Sequence, residues 1–285
     1  MSVVSGKVIF CEGKEESLDM RLLDRVVENL KERPTIVPAG SKFTLSVFAQ
    51  GYFSRASTNR KGIIFRDRDF DTNPTDKIQL LELKPMFLSH RACVENYLLN
   101  ADLIHAYWVT KYQEKQDNPT SKWGHKNSPG IEDISAWIEN AAKSLLEYQA
   151  VRWALADLLQ SSTSRTQLKT TWTGASGKLP KSLALPDCKT AAVELINQFR
   201  QAVETVTQEK FEASVTRYQQ LFNQETFWEQ KQYLIWFHGK DIQKYTQIQK
   251  SEYISLDNFF PWAINQLDIT QHPDIVELQE KIQQP

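Results

Sequence analysis

Several features that would direct a functional assignment are scarce in this 285-residue sequence. Its three cysteines, Cys11, Cys93 and Cys188, lie far apart, and no Cys-x-x-Cys or His-x-His spacing is present, which argues against a zinc site and against a disulfide framework. The formal net charge of −1 excludes the positive field of proteins that attract polyanions through their whole charge. A nucleic-acid surface would therefore be a local patch.

Long apolar runs are also missing. No stretch approaches the length of a membrane span, and the first seven residues lack the charged start and apolar segment of a signal peptide. The composition, 41% hydrophobic and 24% charged, is that of an ordinary globular protein with one large domain or two smaller ones. We therefore expect a cytoplasmic protein with no membrane partner.

The first hundred residues alternate short apolar runs with helical periodicity. Residues 15–31 carry apolar side chains at three- and four-residue intervals, which predicts an amphipathic helix, and Ser41 is placed to cap a second one. Strands that alternate with helices imply right-handed crossovers and a parallel sheet. We predict the strands at residues 7–11, within 34–40, and at 62–65, 80–84 and 86–90.

Carboxylates follow these strands. Glu12 comes directly after the first strand, and Asp67, Asp69 and Asp71 follow the third at two-residue spacing. In an extended chain alternate residues share one face, so the aspartates would point the same way while Arg66, Arg68 and Phe70 face the other. Crowded carboxylates repel one another unless a cation lies among them. Oxygen ligands favour Mg²⁺ or Mn²⁺ over zinc.

Beyond about residue 100 the sequence is helical in character, with two polar linkers at 116–130 and 161–186. The fold class predicted is therefore α/β + α: a parallel sheet flanked by helices in residues 1–100, followed by an all-helical region in 101–285. The tryptophans of that region are interpreted as core or protein-contact residues. We predict helices at residues 101–114, 131–159, 188–207, 208–220, 225–236, 241–249 and 256–267.

Three segments of the first hundred residues, Glu12-Gly13-Lys14, Asp67-Arg68-Asp69-Phe70-Asp71 and Val94-Glu95-Asn96-Tyr97, together resemble a Toprim fold. Specifically, the sequence resembles the AriB-like Toprim effector family of PARIS anti-phage systems, long described as a domain of unknown function and related to the Toprim domain of OLD-family nucleases. The segments 237–241 and 272–278 are similar to that family's helical half in a looser way.

The resemblance implies a Mg²⁺-dependent nuclease. It places metal binding or acid–base chemistry on Glu12 and metal binding on Asp67 and Asp69, and it gives Glu95 a metal-binding or positioning role. The family's first motif has an aspartate four residues after its glutamate, and Glu16 stands there in this sequence. The resemblance also implies an ABC-type ATPase partner and an RNA target, favoured over DNA, with tRNA as one candidate.

Simpler interpretations remain open for several of these residues. Asp71 could cap the turn that begins at Thr72, and Glu16 could be an ordinary acidic residue in the first turn of a helix.

Lys14, Arg68 and Lys240 are the basic residues to which we assign substrate binding.

The sequence thus predicts an anti-phage endonuclease of Toprim type, with Glu12, Asp67, Asp69 and Glu95 as catalytic residues. Glu16 and Asp71 would complete the metal shell. The alternative is a non-catalytic or regulatory partner of an ABC-type ATPase. The sequence leaves open whether the protein is a monomer or a homodimer.

Overall fold

The computed structural model describes residues 7–42, 44–45, 47–48, 51, 62–118, 120–161, 184–204 and 206–284. The chain divides into two compact units, one formed by Met1–Leu145 with Thr226–Pro285 and the other by Leu146–Glu225. This division differs from the predicted halves, 1–100 and 101–285. The last helices belong to the unit that contains the sheet, because they pack against its first helix.

The sheet has five strands in the order β2-β1-β3-β5-β4, and β1, β2, β3 and β5 run parallel. Strand β4 is antiparallel to β5, which corrects the expectation of a wholly parallel sheet. Only Lys84 and Pro85 separate these two strands, and so short a connection allows a hairpin but no crossover. The strands are β1 (Val8–Cys11), β2 (Thr35–Pro38), β3 (Gly62–Arg66), β4 (Leu81–Leu83) and β5 (Met86–Leu88).

Helix α1 (Leu18–Val27) connects β1 to β2 and buries four apolar side chains: Leu22, Leu23, Val26 and Val27. It is shorter than the predicted 15–31. Ser17 caps its start by accepting a hydrogen bond from the Met20 backbone N–H, and Glu16 has a left-handed backbone with φ of 65°, which a continuing helix does not allow. After Ser41, the described residues 42, 44, 45, 47, 48 and 51 are helical.

The rest of the described chain is helical, which confirms the α/β + α class. The predicted helix at 225–236 is two short ones, because Lys231 between them has φ of 51°. The last helix was not predicted, and most of the 161–186 linker lies outside the described residues. The helices are α2 (Glu95–Leu98), α3 (Ala101–Asp117), α4 (Ile131–Ser161), α5 (Leu185–Val203), α6 (Gln208–Phe222), α7 (Glu225–Glu229), α8 (Tyr233–Trp236), α9 (Gly239–Gln249), α10 (Phe259–Gln266) and α11 (Pro273–Gln283).

Within the unit Leu146–Glu225, α4 and α6 pack through Trp153 and Tyr218, whose ring centroids lie 5.7 Å apart. The Tyr218 hydroxyl donates a hydrogen bond to Asp157, which also accepts from Ser214 and pairs with Arg217. Trp153 is fully buried, so its interpretation as a core residue is confirmed. Among the helices that the structure describes, none is long and apolar enough to cross a membrane.

Candidate metal centre

The carboxyl ends of β1, β3 and β5 meet at one edge of the sheet, because β3 is paired in parallel with both β1 and β5. Glu12 follows β1, Asp67 follows β3, and Glu95 begins helix α2 a few residues after β5. The topology therefore collects these three side chains at the edge where parallel sheets place their functional groups. The sequence analysis placed Glu12 and Asp67 directly after the first and third strands, whereas Glu95 was assigned through the family resemblance.

Asp67, Cys93 and Glu95 form the centre of the site. One ligand atom from each lies within 4.8 Å of the other two, and all three residues are buried. Within the part of the chain that the structure describes, Asp67 Oδ1 and Glu95 Oε2 accept no hydrogen bond. Buried carboxylate oxygens without partners are costly, and a metal ion is one group that would satisfy them. This group could therefore hold a metal ion.

Two further carboxylates surround this centre. Glu12 Oε1 and Asp19 Oδ1 are also buried without a hydrogen-bond partner. Burial, followed by the charges of Glu95 and Glu12, raises the pKa of Asp19 to about 7. Burial also raises the pKa of Asp67 well above its usual range, with Asp19 and Glu95 adding to the effect. Burial and then Asp69 raise the pKa of Glu12. A cation would favour the ionised forms of all of them.

Asp19 takes the place that the sequence analysis gave to Glu16. The Glu16 side chain is 84% exposed and lies 3.6 Å from Arg21, so the structure does not bring it into the group. Asp19 is in the first turn of α1, three and four residues before the buried Leu22 and Leu23. That spacing puts Asp19 on the apolar face of the helix, and a carboxylate on such a face was the signal that could have identified it.

Asp69 and Asp71 do not continue the alternation that the sequence suggested. Strand β3 ends at Arg66, and Asp69 has a left-handed backbone with φ of 51°, so the extended geometry stops before it. Arg66, expected on the opposite face, instead forms an ion pair with Asp71. Lys42 pairs with Asp71 as well and lies 3.9 Å from Asp69. Among the described residues, neither aspartate belongs to the three-residue group.

His238 is a site residue that the sequence analysis missed, since it lies between the helices predicted at 225–236 and 241–249. Its Nε2 lies 3.3 Å from Asp69 Oδ1, and its ring stacks on Phe70. Burial raises the pKa of Asp69, but the hydrogen bond and charge of His238, with Lys42, outweigh that effect and lower it. The segment His238-Gly239-Lys240 begins helix α9.

Asn96 holds this segment against the site. Its side-chain oxygen accepts hydrogen bonds from the backbone N–H groups of Cys93 and Gly239, at 3.1 and 2.9 Å, and its amide donates to the Leu234 and Phe237 carbonyls. We call these four hydrogen bonds the Asn96 clamp. They fix the position of the neighbouring Lys240, whose Nζ lies 3.5 Å from Glu95 Oε1. Its position beside the group is compatible with the predicted substrate role of Lys240.

Arg68 is not available for the substrate role that the sequence analysis assigned to it. The side chain is fully buried. It donates hydrogen bonds to the backbone carbonyls of His90, Thr72 and Ile235, at 3.0, 2.8 and 2.6 Å. A guanidinium enclosed by backbone carbonyls is a structural link and cannot reach a phosphate. Lys14 lies exposed in the turn after β1, where its substrate role remains a prediction.

Comparison of the chain with protein-family models and with curated proteins gives no match. The function must therefore be argued from the geometry of the site and from the sequence resemblance.

The Asp19→Asn variant tests whether the crowded carboxylates lower the thermal stability of the folded protein. In the metal-free wild type the folded state holds the Asp19 proton up to about pH 7, whereas the unfolded state releases it near pH 4. The stability that this group contributes therefore decreases as the pH rises from about 4 to about 7. We expect Asp19→Asn to raise the Tm by about 3 °C or more at pH 8, and by little at pH 4. Thermal melts in a chelator measure the difference; a gain independent of pH would contradict this account.

Gly239→Ala tests the Asn96 clamp. A Cβ at Gly239 would lie 2.9 Å from both the backbone N and the Oδ1 of Asn96, so the clamp would have to open. We expect a loss of about 1–3 kcal/mol in the free energy of unfolding, measured by urea titration. Gly124→Ala is the control, because its Cβ would have no atom of the described residues within 4 Å; it should be neutral or slightly stabilising.

Proposed function

We propose that the protein is a metal-dependent nuclease that hydrolyses phosphodiester bonds. One observation carries the proposal: four carboxylates at the edge of the parallel sheet each keep a buried oxygen that accepts no hydrogen bond from the described residues. These are Glu12, Asp19, Asp67 and Glu95. Such a cluster is unfavourable by itself and is well suited to hold the cation that phosphoryl transfer requires.

In this proposal Asp67 and Glu95 hold the ion, and Glu12 and Asp19 are placed to bind a second ion or the attacking water. A bound divalent ion would supply charge neutralisation at the phosphate and a lower pKa for that water. The Lys240 ammonium, 3.5 Å from Glu95, is placed to contact a non-bridging phosphate oxygen. The resemblance to Toprim nucleases supports the roles of Glu12, Asp67 and Glu95. The proposal replaces Glu16 by Asp19 and leaves out Asp69, which lies beside Lys42 and His238.

Mg²⁺ or Mn²⁺ is the ion we propose. Burial, followed by the charge of Glu95, raises the pKa of the Cys93 thiol well above its usual range, so the thiol is protonated at neutral pH. It donates a hydrogen bond to Asn96 Oδ1 at 2.9 Å. A neutral thiol is a poor ligand for a hard cation, so the carboxylates provide the binding.

The substrate and the biological role rest on the sequence resemblance. The AriB-like family resemblance supports RNA, with tRNA as one candidate, over DNA. It also supports an anti-phage role in which an ABC-type ATPase controls the enzyme.

A second candidate function is a non-catalytic partner of such an ATPase. Cations of the protein itself favour it, since Lys240 lies beside Glu95, Lys42 beside Asp69, and Arg66 pairs with Asp71. In that case these ion pairs would neutralise the site without a metal. The two candidates differ in one property: only the nuclease requires a divalent ion to act.

Asp67→Asn and Glu95→Gln should each lower the rate of RNA cleavage by at least about a hundredfold, because each removes charge that holds the ion. Glu16→Gln is the matched control: it neutralises an exposed carboxylate of the same segment as Asp19 and should retain near wild-type activity. The assay is cleavage of total RNA, tRNA and DNA with Mg²⁺ or Mn²⁺. Unchanged activity of the Asp67 variant would overturn the proposal. An equal loss of activity in the Glu16 variant would show that Glu16, as the family resemblance implies, belongs to the metal shell.

Cys93→Ser tests the choice of ion. If the carboxylates alone hold Mg²⁺, this variant should keep Mg²⁺-supported cleavage within about threefold of wild type, because a hydroxyl replaces a neutral thiol. Calorimetric titration with Mg²⁺, Mn²⁺ and Zn²⁺ gives an independent measure. Loss of ion binding in Cys93→Ser would show that the thiolate is a ligand and would favour a softer metal.

A further inference from the structure

A cavity lies among residues that play no part in the carboxylate site. It has a volume of about 550 Å³, within the range of small-molecule sites. Helix α3, the segment 121–125 and the start of α10 form its walls. The lining residues that matter here are Tyr107, Lys111, Lys122, Trp123, Asn258 and Trp262.

Aromatic rings form two walls of this cavity. The Tyr107 ring centroid lies 6.1 Å from that of Trp123, at an interplanar angle of 78°, and 5.2 Å from that of Trp262. Tyr107 is buried, whereas both tryptophans are partly exposed toward the opening. Rings set at such angles offer flat faces to a planar ligand, which could stack on one and meet the edge of another.

The Trp123 indole adds a directional requirement. Its Nε1–H is buried and has no hydrogen-bond partner among the described residues, and Trp123 is one of the residues that line the cavity. A buried indole N–H normally has an acceptor, so a ligand with a carbonyl oxygen, a ring nitrogen or a phosphate oxygen would satisfy it. The side chain of Asn258, which makes no capping bond at the start of α10, offers a further donor and acceptor.

The segment that carries Trp123 is fixed in place. Trp108 Nε1 donates a hydrogen bond to the Lys126 carbonyl at 2.8 Å, and His105 bonds to Ser128 at 2.8 Å. Lys115 donates to the carbonyl of Trp123 itself. The sequence had indicated only a polar linker here. The structure shows that this linker forms one wall of the cavity.

The charges around the cavity favour an anionic ligand. Lys122 is exposed at its edge, and Lys111 lies over the Tyr107 ring while pairing with Glu114, the one carboxylate of the lining. A cation entering an aromatic cage would meet two ammonium groups here. A ligand that combines a planar ring with a negative group would meet aromatic faces and ammonium groups together.

We propose that this cavity binds a nucleotide, with its base against Tyr107, Trp123 and Trp262 and its phosphate at Lys122. The nucleotide could be free or part of a single strand, since both present the same base and phosphate. The proposal is independent of whether the carboxylate site cleaves nucleic acid.

The test is a calorimetric titration of the full chain in a chelator, so that no cleavage takes place. The probes are AMP, UMP, a ten-residue oligouridylate, ribose 5-phosphate and tetramethylammonium. We expect the nucleotides or the oligonucleotide to bind and the base-free sugar phosphate to bind at least tenfold more weakly. If the oligonucleotide binds at least tenfold more tightly than UMP, the ligand is a single strand; otherwise it is a free nucleotide. Binding of tetramethylammonium instead, or of no probe, overturns the proposal.

Variants locate the binding. Trp123→Ala should weaken it at least tenfold, and Trp123→Phe, which keeps a ring but removes the N–H, should weaken it several-fold. Lys122→Ala should also weaken it, whereas Lys126→Ala, which removes another exposed charge of the same segment, is the matched control and should not. If Trp123→Ala fails to fold, the Phe and Lys122 variants decide. Unchanged affinity in these variants, or equal loss in both lysine variants, overturns the proposal.

Discussion

The candidate site depends on one buried guanidinium. Arg68 follows β3, yet its hydrogen bonds reach the loop after β5 through the His90 carbonyl and the C-terminal part of the chain through the Ile235 carbonyl. Few side chains other than the charged guanidinium of arginine, with its five N–H donors, could satisfy so many buried carbonyls at once. Burial lowers its pKa to about 10, which still leaves it charged. These hydrogen bonds of Arg68 fix the turn in which Asp69 leaves the extended conformation. They also hold the segment with His238 and Lys240 at the edge of the sheet where β1 and β3 end.

The parts of the fold that follow from local patterns were predictable from the sequence. The apolar runs of β1 and β3 and the periodic face of α1 identify their elements, and the short connection between β4 and β5 could have indicated a hairpin. The division of the chain was not predictable. Helix α11 returns to the first unit through Asp274, whose carboxylate accepts hydrogen bonds from the His90 backbone N–H and the Tyr97 hydroxyl. Such long-range pairing leaves no periodic signal in either segment.

The candidate site shows the same limit. Glu12 and Asp67 were found because each directly follows a strand of one sheet, and topology brings such residues together. Glu95 was found through the family resemblance. Asp19 was missed although its place on the apolar face of α1 was a signal for it. Cys93 and His238 were not found, because the Asn96 clamp that joins their segments is a long-range contact. Arg68 was misassigned for a related reason: charge suggests the surface, and only the structure shows a cation that is fully buried.

The electrostatics of the site divide its carboxylates into two groups, and this division bears on function. Asp69 and Asp71 are paired with cations of the protein, and the pKa of Asp69 is lowered. Burial instead raises the pKa values of Glu12, Asp19 and Asp67, that of Asp19 to about 7, so protons and cations compete for these oxygens. Any divalent ion that binds there must displace protons, and its affinity must therefore increase with pH up to the raised pKa values. An inert, fully neutralised site would show no such coupling, so proton release on metal binding distinguishes a working metal centre from a structural network of ion pairs.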